Sequence, residues 1–163
     1  MNIVIVEIDR CIACFSCQRA CQFHQMESKR SWSPNIFVNV DLDRRRIFTG
    51  TCLQCETAIC MDVCPVSALT RDPETAAVLV EKAICLGCGM CVAACPFGYM
   101  QLDESFRKAT KCDLCGGNPI CVQVCMAKAL HFENINSLAE RKRKQADIRL
   151  GLRAIPENKD DDQ

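Results

Sequence analysis

The sequence has little of what usually builds a large hydrophobic core. Its 163 residues include one Trp, one Tyr and seven Phe, although such side chains normally bury the most apolar surface in a fold. No stretch approaches the roughly 20 apolar residues of a membrane-spanning helix, so we expect no direct membrane span. A chain this poor in large apolar side chains is expected to depend on disulfides or bound metals for stability.

Signatures of several enzyme classes are also missing. The sequence contains no Gly-x-Gly-x-x-Gly fingerprint for a flavin or nicotinamide cofactor and no phosphate-binding loop. Its two histidines are His24 and His131, and we interpret both as packing or surface residues rather than as proton-transfer groups. These absences favour a chain that is not itself an enzyme.

No secretory signal is recognisable near the first residues. Residues 3–8 read IVIVEI, which is too short and too acidic at its end for the apolar part of a signal peptide. We therefore predict a cytoplasmic location, where thiols serve as metal ligands more often than they form disulfides. Export together with a signal-bearing partner stays open as an alternative.

What the sequence does have is cysteine. Sixteen cysteines fall into four groups of four, with none left over. Each group begins with Cys-x-x-Cys and ends with Cys-x-x-x-Cys, which makes the chain an internal repeat. In chain order the groups are Cys11, Cys14, Cys17 and Cys21; Cys52, Cys55, Cys60 and Cys64; Cys85, Cys88, Cys91 and Cys95; and Cys112, Cys115, Cys121 and Cys125.

The third group reads CLGCGMCVAACP and matches the bacterial ferredoxin pattern for [4Fe–4S] clusters. In this pattern three cysteines on a tight loop bind three iron corners of one cluster, and Gly87 and Gly89 allow the backbone to pass close by. We expect the fourth cysteine to begin a helix that leads away, so that it binds a different cluster. Each group then gives three ligands to one cluster and one ligand to another.

This exchange of fourth cysteines requires the groups to form two pairs. The second and third groups are neighbours, and each is followed by a proline, Pro65 and Pro96. We therefore predict that these two groups pair within a module over residues 50–100, and that the first and fourth groups pair around it. Pairing of the first group with the second, and of the third with the fourth, is the alternative.

The favoured pairing predicts four [4Fe–4S] clusters whose iron is bound by all sixteen cysteines. The ligand sets are Cys11, Cys14, Cys17 and Cys125 for cluster 1; Cys21, Cys112, Cys115 and Cys121 for cluster 2; Cys52, Cys55, Cys60 and Cys95 for cluster 3; and Cys64, Cys85, Cys88 and Cys91 for cluster 4. Structural zinc is a weaker alternative, because the repeated spacing differs from that of zinc knuckles. Disulfides and a single [3Fe–4S] cluster are also weaker, and no ligand cysteine is missing.

Several neighbours of the cysteines are expected to serve the clusters. Phe15, Phe97 and Tyr99 stand next to cysteines and are predicted to shield the clusters from water. Arg107, Lys108 and Lys111 precede the fourth group, and we expect them to offset part of the negative charge of thiolate-bound clusters.

The motifs CLQCETAICMDVCP, CLGCGMCVAACPFG and KCDLCGGNPICVQVC, in this order, resemble the four-cluster iron–sulfur subunits of the molybdopterin-reductase and hydrogenase type. The resemblance covers residues 1–132 and implies the favoured pairing, with the clusters in a row that relays single electrons to or from a catalytic subunit. One departure is Met126, which stands where the family usually has a proline after the fourth group.

This short form is most similar to the small electron-transfer subunit of tungsten aldehyde oxidoreductases or to the iron–sulfur subunit of carbon monoxide dehydrogenase. The resemblance implies a catalytic partner that contains a tungsten- or molybdenum-pterin or nickel, and a flavin subunit as a further partner. We predict an electron-transfer subunit of a tungsten aldehyde oxidoreductase. A subunit of carbon monoxide dehydrogenase or hydrogenase, or a free polyferredoxin shuttle, is the alternative.

The predicted fold is α+β, with tandem bacterial-ferredoxin-like modules of short helices and hairpins over residues 1–132. Within it we expect a strand at Asn2–Glu7, a hairpin with strands at Asn35–Val40 and Arg46–Thr49, and short helical turns at Val66–Leu69 and Met126–Leu130.

Residues 133–163 are predicted to form a helical extension with an acidic tail. A capping box at Ser137–Glu140 favours a helix over 138–153 that ends before Pro156. Its residues Ile148, Leu152 and Ile155 share one face. We expect the 134–155 helix to dock on the catalytic subunit or on another copy of the chain. A solvated helix is the alternative, whereas nucleic-acid binding is not expected because the RKRK run is short and has no interleaved aromatics.

Overall fold

The structure is a computed structural model that describes residues 1–28 and 31–152. Within these ranges the strands are β1 (Asn2–Val6), β2 (Ile36–Asp41), β3 (Arg46–Thr51), β4 (Leu69–Arg71), β5 (Val78–Val80), β6 (Gln101–Asp103), β7 (Lys108–Thr110) and β8 (Leu130–Asn134). The α-helices are α1 (Ser16–Glu27), α2 (Ile59–Asp62), α3 (Met90–Ala94), α4 (Ile120–Gln123) and α5 (Ile135–Arg149). These short helices and strands confirm the α+β prediction. In the same ranges no helix is long and apolar enough to cross a membrane.

The first strand pairs with the last one. β1 runs antiparallel to β8, with Asn2 opposite Asn134 and Val6 opposite Leu130. Val4 and Leu130 are buried in the core between the first and fourth cysteine groups. The pairing therefore brings together two parts of the chain that precede and follow, in sequence, the segment with the second and third groups.

The other strands form local antiparallel hairpins, β2–β3, β4–β5 and β6–β7. Each hairpin turn contains a residue with positive φ one or two positions before the second strand: Arg45, Ala76 and Arg107. The predicted hairpin over residues 35–49 is confirmed, with Ile36 opposite Thr51 and Asp41 opposite Arg46. The alternation of Ile36 and Val38 with outward residues explains it, because both side chains are buried under one face.

Two predictions about local helices are wrong. Residues 66–68 and 126–129 form turns and irregular backbone, residues 69 and 130 begin β4 and β8, and the helices α2 and α4 lie before the fourth cysteines. Ser67 and Lys128 have φ values of 51° and 48°, which are incompatible with a right-handed helix.

The fourth cysteines also lie at other positions than predicted, because the helices begin before them in the chain. They do not begin helices, because Cys64, Cys95 and Cys125 follow α2, α3 and α4, and Cys21 lies inside α1. The third cysteine of each group lies within the helix instead. The helix of each group thus separates the third cysteine from the fourth, and these two cysteines lie at different sites.

The C-terminal helix α5 begins earlier than predicted. β8 runs directly into it, and the side chain of Asn134 caps its first turn by accepting a hydrogen bond from the Asn136 amide at 2.9 Å. The predicted cap at Ser137 is therefore wrong, because an Asx cap was available three residues earlier. α5 ends at Arg149, whereas the predicted positions Ile155 and Pro156 lie outside the described residues.

Candidate metal centres

One small cavity is lined by cysteines from the two ends of the chain. Cys11, Cys14 and Cys17 face it from the first group, and Cys125 faces it from the fourth. Its other walls are mainly apolar and include Phe15, Val38, Ala129 and Leu130. The Thr49 hydroxyl lies 3.4 Å from the Cys11 sulfur. The structure thus brings together the four thiols predicted for cluster 1.

Two further cavities lie in the middle of the chain, and each combines three cysteines of one group with the last cysteine of its neighbour. One is lined by the cysteines predicted for cluster 3, together with Ala58, Val78, Phe97, Tyr99 and Lys111. The other is lined by the cysteines predicted for cluster 4, together with Val66, Leu69, Leu102 and Ala109. Cys95 of the third group lines the first of these cavities, and Cys64 of the second group lines the other.

The remaining four thiols lie near one another in the core between the first and fourth groups. Burial raises the pKa of Cys21 to about 12, and the proximity of Cys112 and Cys115 adds to the rise. Burial also raises the pKa of Cys121, again with contributions from Cys112, Cys21 and Cys115. Thiols that influence one another in this way are near in space, and Cys21, Cys112 and Cys121 belong to one buried cluster of the core.

The donor chemistry of these sites fits an iron–sulfur cluster. Each site presents four thiols, which are the soft ligands that hold [4Fe–4S] clusters. The walls of the three cavities are mostly apolar, and such surroundings limit solvent access to a cluster. Among residues 1–28 and 31–152, no group of three or more His, Cys, Asp or Glu side chains is close enough to hold a single metal ion.

Backbone amides point at the fourth cysteines, and the sequence pattern did not reveal this. The amides of Ala68, Ala129 and Asn35 donate to the sulfurs of Cys64, Cys125 and Cys21 at 3.2, 3.3 and 3.3 Å. These bonds explain why the chain turns after the second and fourth groups instead of continuing as a helix. Hydrogen bonds of this kind stabilise the thiolate form.

Backbone amides of the loop after Cys95 also form hydrogen bonds with the Cys95 thiol. Burial alone would raise the pKa of its thiol, but the amides of Phe97, Tyr99 and their neighbours bring the pKa below its usual value. Phe97 and Tyr99 stack with ring centroids 6.3 Å apart at the wall of this cavity, whereas Phe15 lines the cavity at the first group. The aromatic residues singled out from the sequence therefore lie against the cysteine sites.

Most of the buried thiols are poor acids in the metal-free chain. Burial raises the pKa of Cys17, Cys91 and Cys112 to about 11 in each case. Ligand sulfur must be deprotonated, so loading a cluster releases protons from these positions. Cys14 differs because it is exposed, and a hydrogen bond with Ser16 lowers the pKa of its thiol.

Gly87, on the loop of the third cysteine group, occupies a position where no β-carbon would fit. It adopts a φ of +69°, and a β-carbon at this position would lie 2.1 Å from the carbonyl oxygen of Arg107. The group that approaches this glycine is the turn of the β6–β7 hairpin, whereas the close passage of the loop backbone by a cluster stays a prediction. Gly89, also on this loop, has a φ of +80°.

Buried polar residues join the cysteine sites to each other. Gln54, fully buried, donates from Nε2 to the Cys112 carbonyl at 2.8 Å and accepts from the Val78 amide at 2.9 Å. Lys111 is 5% exposed and lines the cluster 3 cavity next to it. Their contacts link the loop of the second group to the start of the fourth.

Asp103 joins another pair of segments. Its carboxylate accepts a hydrogen bond from the Ser31 hydroxyl at 2.6 Å and one from the Trp32 amide at 2.8 Å. It also accepts from the amides of Ser105 and Phe106 in its own hairpin turn. The carboxylate thereby connects the β6–β7 hairpin to the segment between α1 and β2.

The two histidines are not among the cysteine sites. His131 lies on β8, and its Nε2 is 3.5 Å from the Glu7 carboxylate. Glu7 also pairs with Arg141 of α5, which in turn contacts Glu133 at 2.5 Å. These contacts hold α5 against the β1–β8 pair, and His24 lies near the end of α1.

Comparison of the sequence with known proteins identifies related iron–sulfur proteins. Residues 44–135 match the model of the 4Fe-4S dicluster domain. The putative electron transport protein YsaA of Escherichia coli is 35% identical over 155 residues, which cover 89% of this chain and 98% of that protein. The polyferredoxin-like subunit of an aliphatic sulfonate oxidoreductase from Pyrococcus furiosus is 32% identical over 127 residues, 75% of this chain and 70% of the relative.

A third relative is the protein NrfC of Escherichia coli. It is 34% identical over 141 residues, which cover 77% of this chain and 62% of that protein. These relatives do not single out a tungsten aldehyde oxidoreductase or a carbon monoxide dehydrogenase subunit. The domain match and the extent of these alignments show that the chain belongs to the 4Fe-4S dicluster family of ferredoxin-like iron–sulfur proteins.

Proposed function

We propose that the chain binds four [4Fe–4S] clusters and carries single electrons to or from a catalytic subunit of an oxidoreductase complex. The observation that carries this proposal is the exchange of fourth cysteines, because each site combines three thiols of one group with one thiol of another. The proposed ligands are Cys11, Cys14, Cys17 and Cys125; Cys21, Cys112, Cys115 and Cys121; Cys52, Cys55, Cys60 and Cys95; and Cys64, Cys85, Cys88 and Cys91.

A bound [4Fe–4S] cluster supplies one-electron chemistry. The chain's own residues exclude water from the sites, turn amides toward the ligand sulfurs and supply nearby charge. With all sixteen cysteines used as ligands, the chain offers no thiol for chemistry on a substrate. The proposed role is therefore electron transfer without catalysis, and the substrate reaction belongs to the partner.

The four sites are proposed to form a row in the order of clusters 4, 3, 2 and 1. Clusters 4 and 3 share the packed helices α2 and α3. The nearness of Cys52 contributes to the raised pKa of Cys112, which links cluster 3 to cluster 2. The nearness of Cys17 contributes to the raised pKa of Cys121, which links cluster 2 to cluster 1. A row of this kind gives an electron a path between two ends of the molecule.

The partner is proposed to be the catalytic subunit of a multi-subunit oxidoreductase, and specifically of a tungsten aldehyde oxidoreductase. Support for the general class comes from the Pyrococcus furiosus relative, whose name describes a subunit of an oxidoreductase. The specific assignment rests on the sequence resemblance. Residues 1–132 would be the cluster-binding unit and residues 133–163 an extension.

The extension, residues 133–163, is proposed to contact the catalytic subunit or a second copy of the chain through α5 and the residues that follow it. Within it, Leu150 and Leu152 are 72% and 71% exposed. Size-exclusion chromatography of the full chain and of a chain that ends at Asn134 tests self-association, which the proposal expects only in the full chain.

The cluster proposal is tested by anoxic isolation and analysis of bound metal. Four clusters require about 16 iron and about 16 sulfide per chain. A value near eight would contradict the four-cluster proposal. Co-purification with a tungsten-containing subunit supports the specific partner, whereas a monomer without a partner favours a free electron shuttle.

A further inference from the structure

Lys111 is a buried ammonium group between two of the cysteine sites. Its Nζ donates to the Gln54 side-chain oxygen at 2.9 Å, to the Val78 carbonyl at 2.6 Å and to the Cys112 carbonyl at 2.8 Å. A protonated lysine has three N–H donors and no acceptor. Three oxygen acceptors around the nitrogen are therefore the arrangement that the charged form requires.

The three partners of this ammonium are uncharged oxygens. A buried charge is costly unless an opposite charge or strong hydrogen bonding compensates it. Carbonyl and amide dipoles provide part of that compensation, but they bring no negative charge. None of the three hydrogen bonds therefore pairs the positive charge of Lys111 with a negative one. The carboxylates of Asp72, Glu81 and Asp113 line a separate open cavity, which this side chain also borders.

The cysteines proposed to bind clusters 3 and 2 lie close to the Lys111 ammonium, and clusters bound by thiolates carry negative charge. Lys111 lines the same cavity as Cys52, Cys55 and Cys60. It also directly precedes Cys112, which belongs to the neighbouring site. The side chain consequently lies between the proposed clusters 3 and 2, the inner pair of the row.

Gln54 holds the ammonium in this position. The amide belongs to the loop of the second group, and it bridges to the fourth group through its bond to the Cys112 carbonyl. Its side-chain oxygen accepts from Lys111 and from the Val78 amide. Since Gln54 is fully buried, the Lys111 nitrogen has a fixed place rather than a range of solvent-exposed positions.

We propose that Lys111 is the fixed counter-charge of the two inner clusters and sets their reduction potentials above the value they would have without it. This inference rests on the proposed function. A cluster gains one negative charge on reduction, and a nearby cation shielded from water stabilises that charge. The two outer clusters lie farther along the row, so Lys111 affects them less.

The test compares variants that change the charge at position 111 in the full chain, isolated without oxygen. Lys111→Met and Lys111→Gln remove the charge, and the Gln variant keeps hydrogen-bond donors. Lys111→Arg retains the charge. Lys142→Met is the matched control, because Lys142 is exposed on α5 and lies outside the cysteine loops.

Iron and sulfide analysis comes first, followed by a redox titration monitored by electron paramagnetic resonance. The inference predicts that two of the four clusters shift to more negative potentials in Lys111→Met and Lys111→Gln. The other two clusters should keep their potentials, and Lys111→Arg and Lys142→Met should match the parent. Unchanged potentials in a fully loaded Lys111→Gln chain would overturn the inference.

A second variant decides the matter if the neutral chains fail to assemble. Gln54→Glu keeps the oxygen that accepts from Lys111 but adds a negative charge beside it, so the inner clusters should again shift to more negative potentials. Parent-like potentials in this variant would overturn the inference. A parent chain that holds no clusters would instead overturn the proposed function, and the metal analysis separates the two failures.

Discussion

At the scale of single residues, the cysteine sites depend on backbone groups that approach them closely. Amides reach the sulfurs of Cys21, Cys64 and Cys125 at 3.2–3.3 Å. The Arg107 carbonyl packs on Gly87, and the Cys85 carbonyl accepts from Lys108 Nζ at 2.5 Å. Small changes at such positions should therefore be felt at the sites themselves.

We expect Gly87→Ala to disrupt the cluster 4 site more than its backbone conformation alone requires. Alanine with positive φ costs about 1–2 kcal/mol, and here the new β-carbon would also meet the Arg107 backbone at 2.1 Å. The carbonyl cannot move aside as a flexible side chain could. Thermal unfolding and iron content of the variant measure the effect, with a loss of up to about four iron per chain.

Gly98→Ala is the matched control for this substitution. Gly98 has the same φ of +69°, but a β-carbon added there would have no other atom within 4 Å beyond its chain neighbours. The control should carry the conformational cost without the clash and keep its iron. Equal stability and equal iron content in the two variants would show that the close approach at Gly87 does not matter.

The residue scale also shows what the sequence could and could not predict. The cysteines were recognisable because ligand spacing is a local property of each loop. Gln54 and Asp103 were not, because their hydrogen bonds join residues 58 and 72 positions apart. The spacing of residues along the sequence does not predict hydrogen bonds between residues that come together only in the folded chain.

At the scale of secondary-structure elements, the hairpins and helices act as spacers between ligands. The β2–β3 hairpin was predictable from alternating Ile and Val on either side of a turn. The helical turns expected after Cys64 and Cys125 were wrong, because amides that would have continued a helix bind sulfur instead. Propensity favoured the helix, and the demands of the cysteine site overrode it.

The β6–β7 hairpin is joined to the chain before β2 by the Asp103 carboxylate, and we expect Asp103→Asn to weaken this junction. The lost charge-assisted hydrogen bonds to Ser31 and Trp32 correspond to about 1–3 kcal/mol of unfolding free energy. Denaturant unfolding of the variant measures this difference. Asp43→Asn, at an exposed position in the β2–β3 turn, is the control and should leave stability nearly unchanged.

The pH dependence of this contribution follows from the pKa of the Asp103 carboxyl group. Burial alone would raise it, but hydrogen bonds from Ser31 and the backbone amides outweigh burial and bring the pKa below its usual value. A group with a lowered pKa in the folded state stabilises the protein above its unfolded pKa of about 3.9. That stability is lost as the pH falls through the lower folded pKa. The difference between parent and variant should therefore stay constant from about pH 6 to pH 8, and a marked change in that interval would contradict this assignment.

At the scale of the whole molecule, the first and last strands join the two outer parts of the chain, and shared cysteine sites are proposed to join them as well. The β1–β8 pair joins residues 2–6 to residues 130–134, and the first and fourth cysteine groups are proposed to share two cluster sites. The repeat of four groups predicted that fourth cysteines are exchanged, whereas the pairing of the first group with the fourth also needed Pro65, Pro96 and the family resemblance. The buried Lys111–Gln54 link between the inner sites could not be predicted, because it depends on how the two pairs pack together.

Cluster-resolved electron paramagnetic resonance of three variants tests the proposed exchange of ligands between the first and fourth groups. Cys21→Ala and Cys115→Ala should alter the same cluster signal, because both residues are proposed ligands of cluster 2. Cys14→Ala should alter a different signal and leave that one intact. The account would be contradicted if Cys21→Ala altered the same signal as Cys14→Ala, since the first group would then hold a cluster by itself.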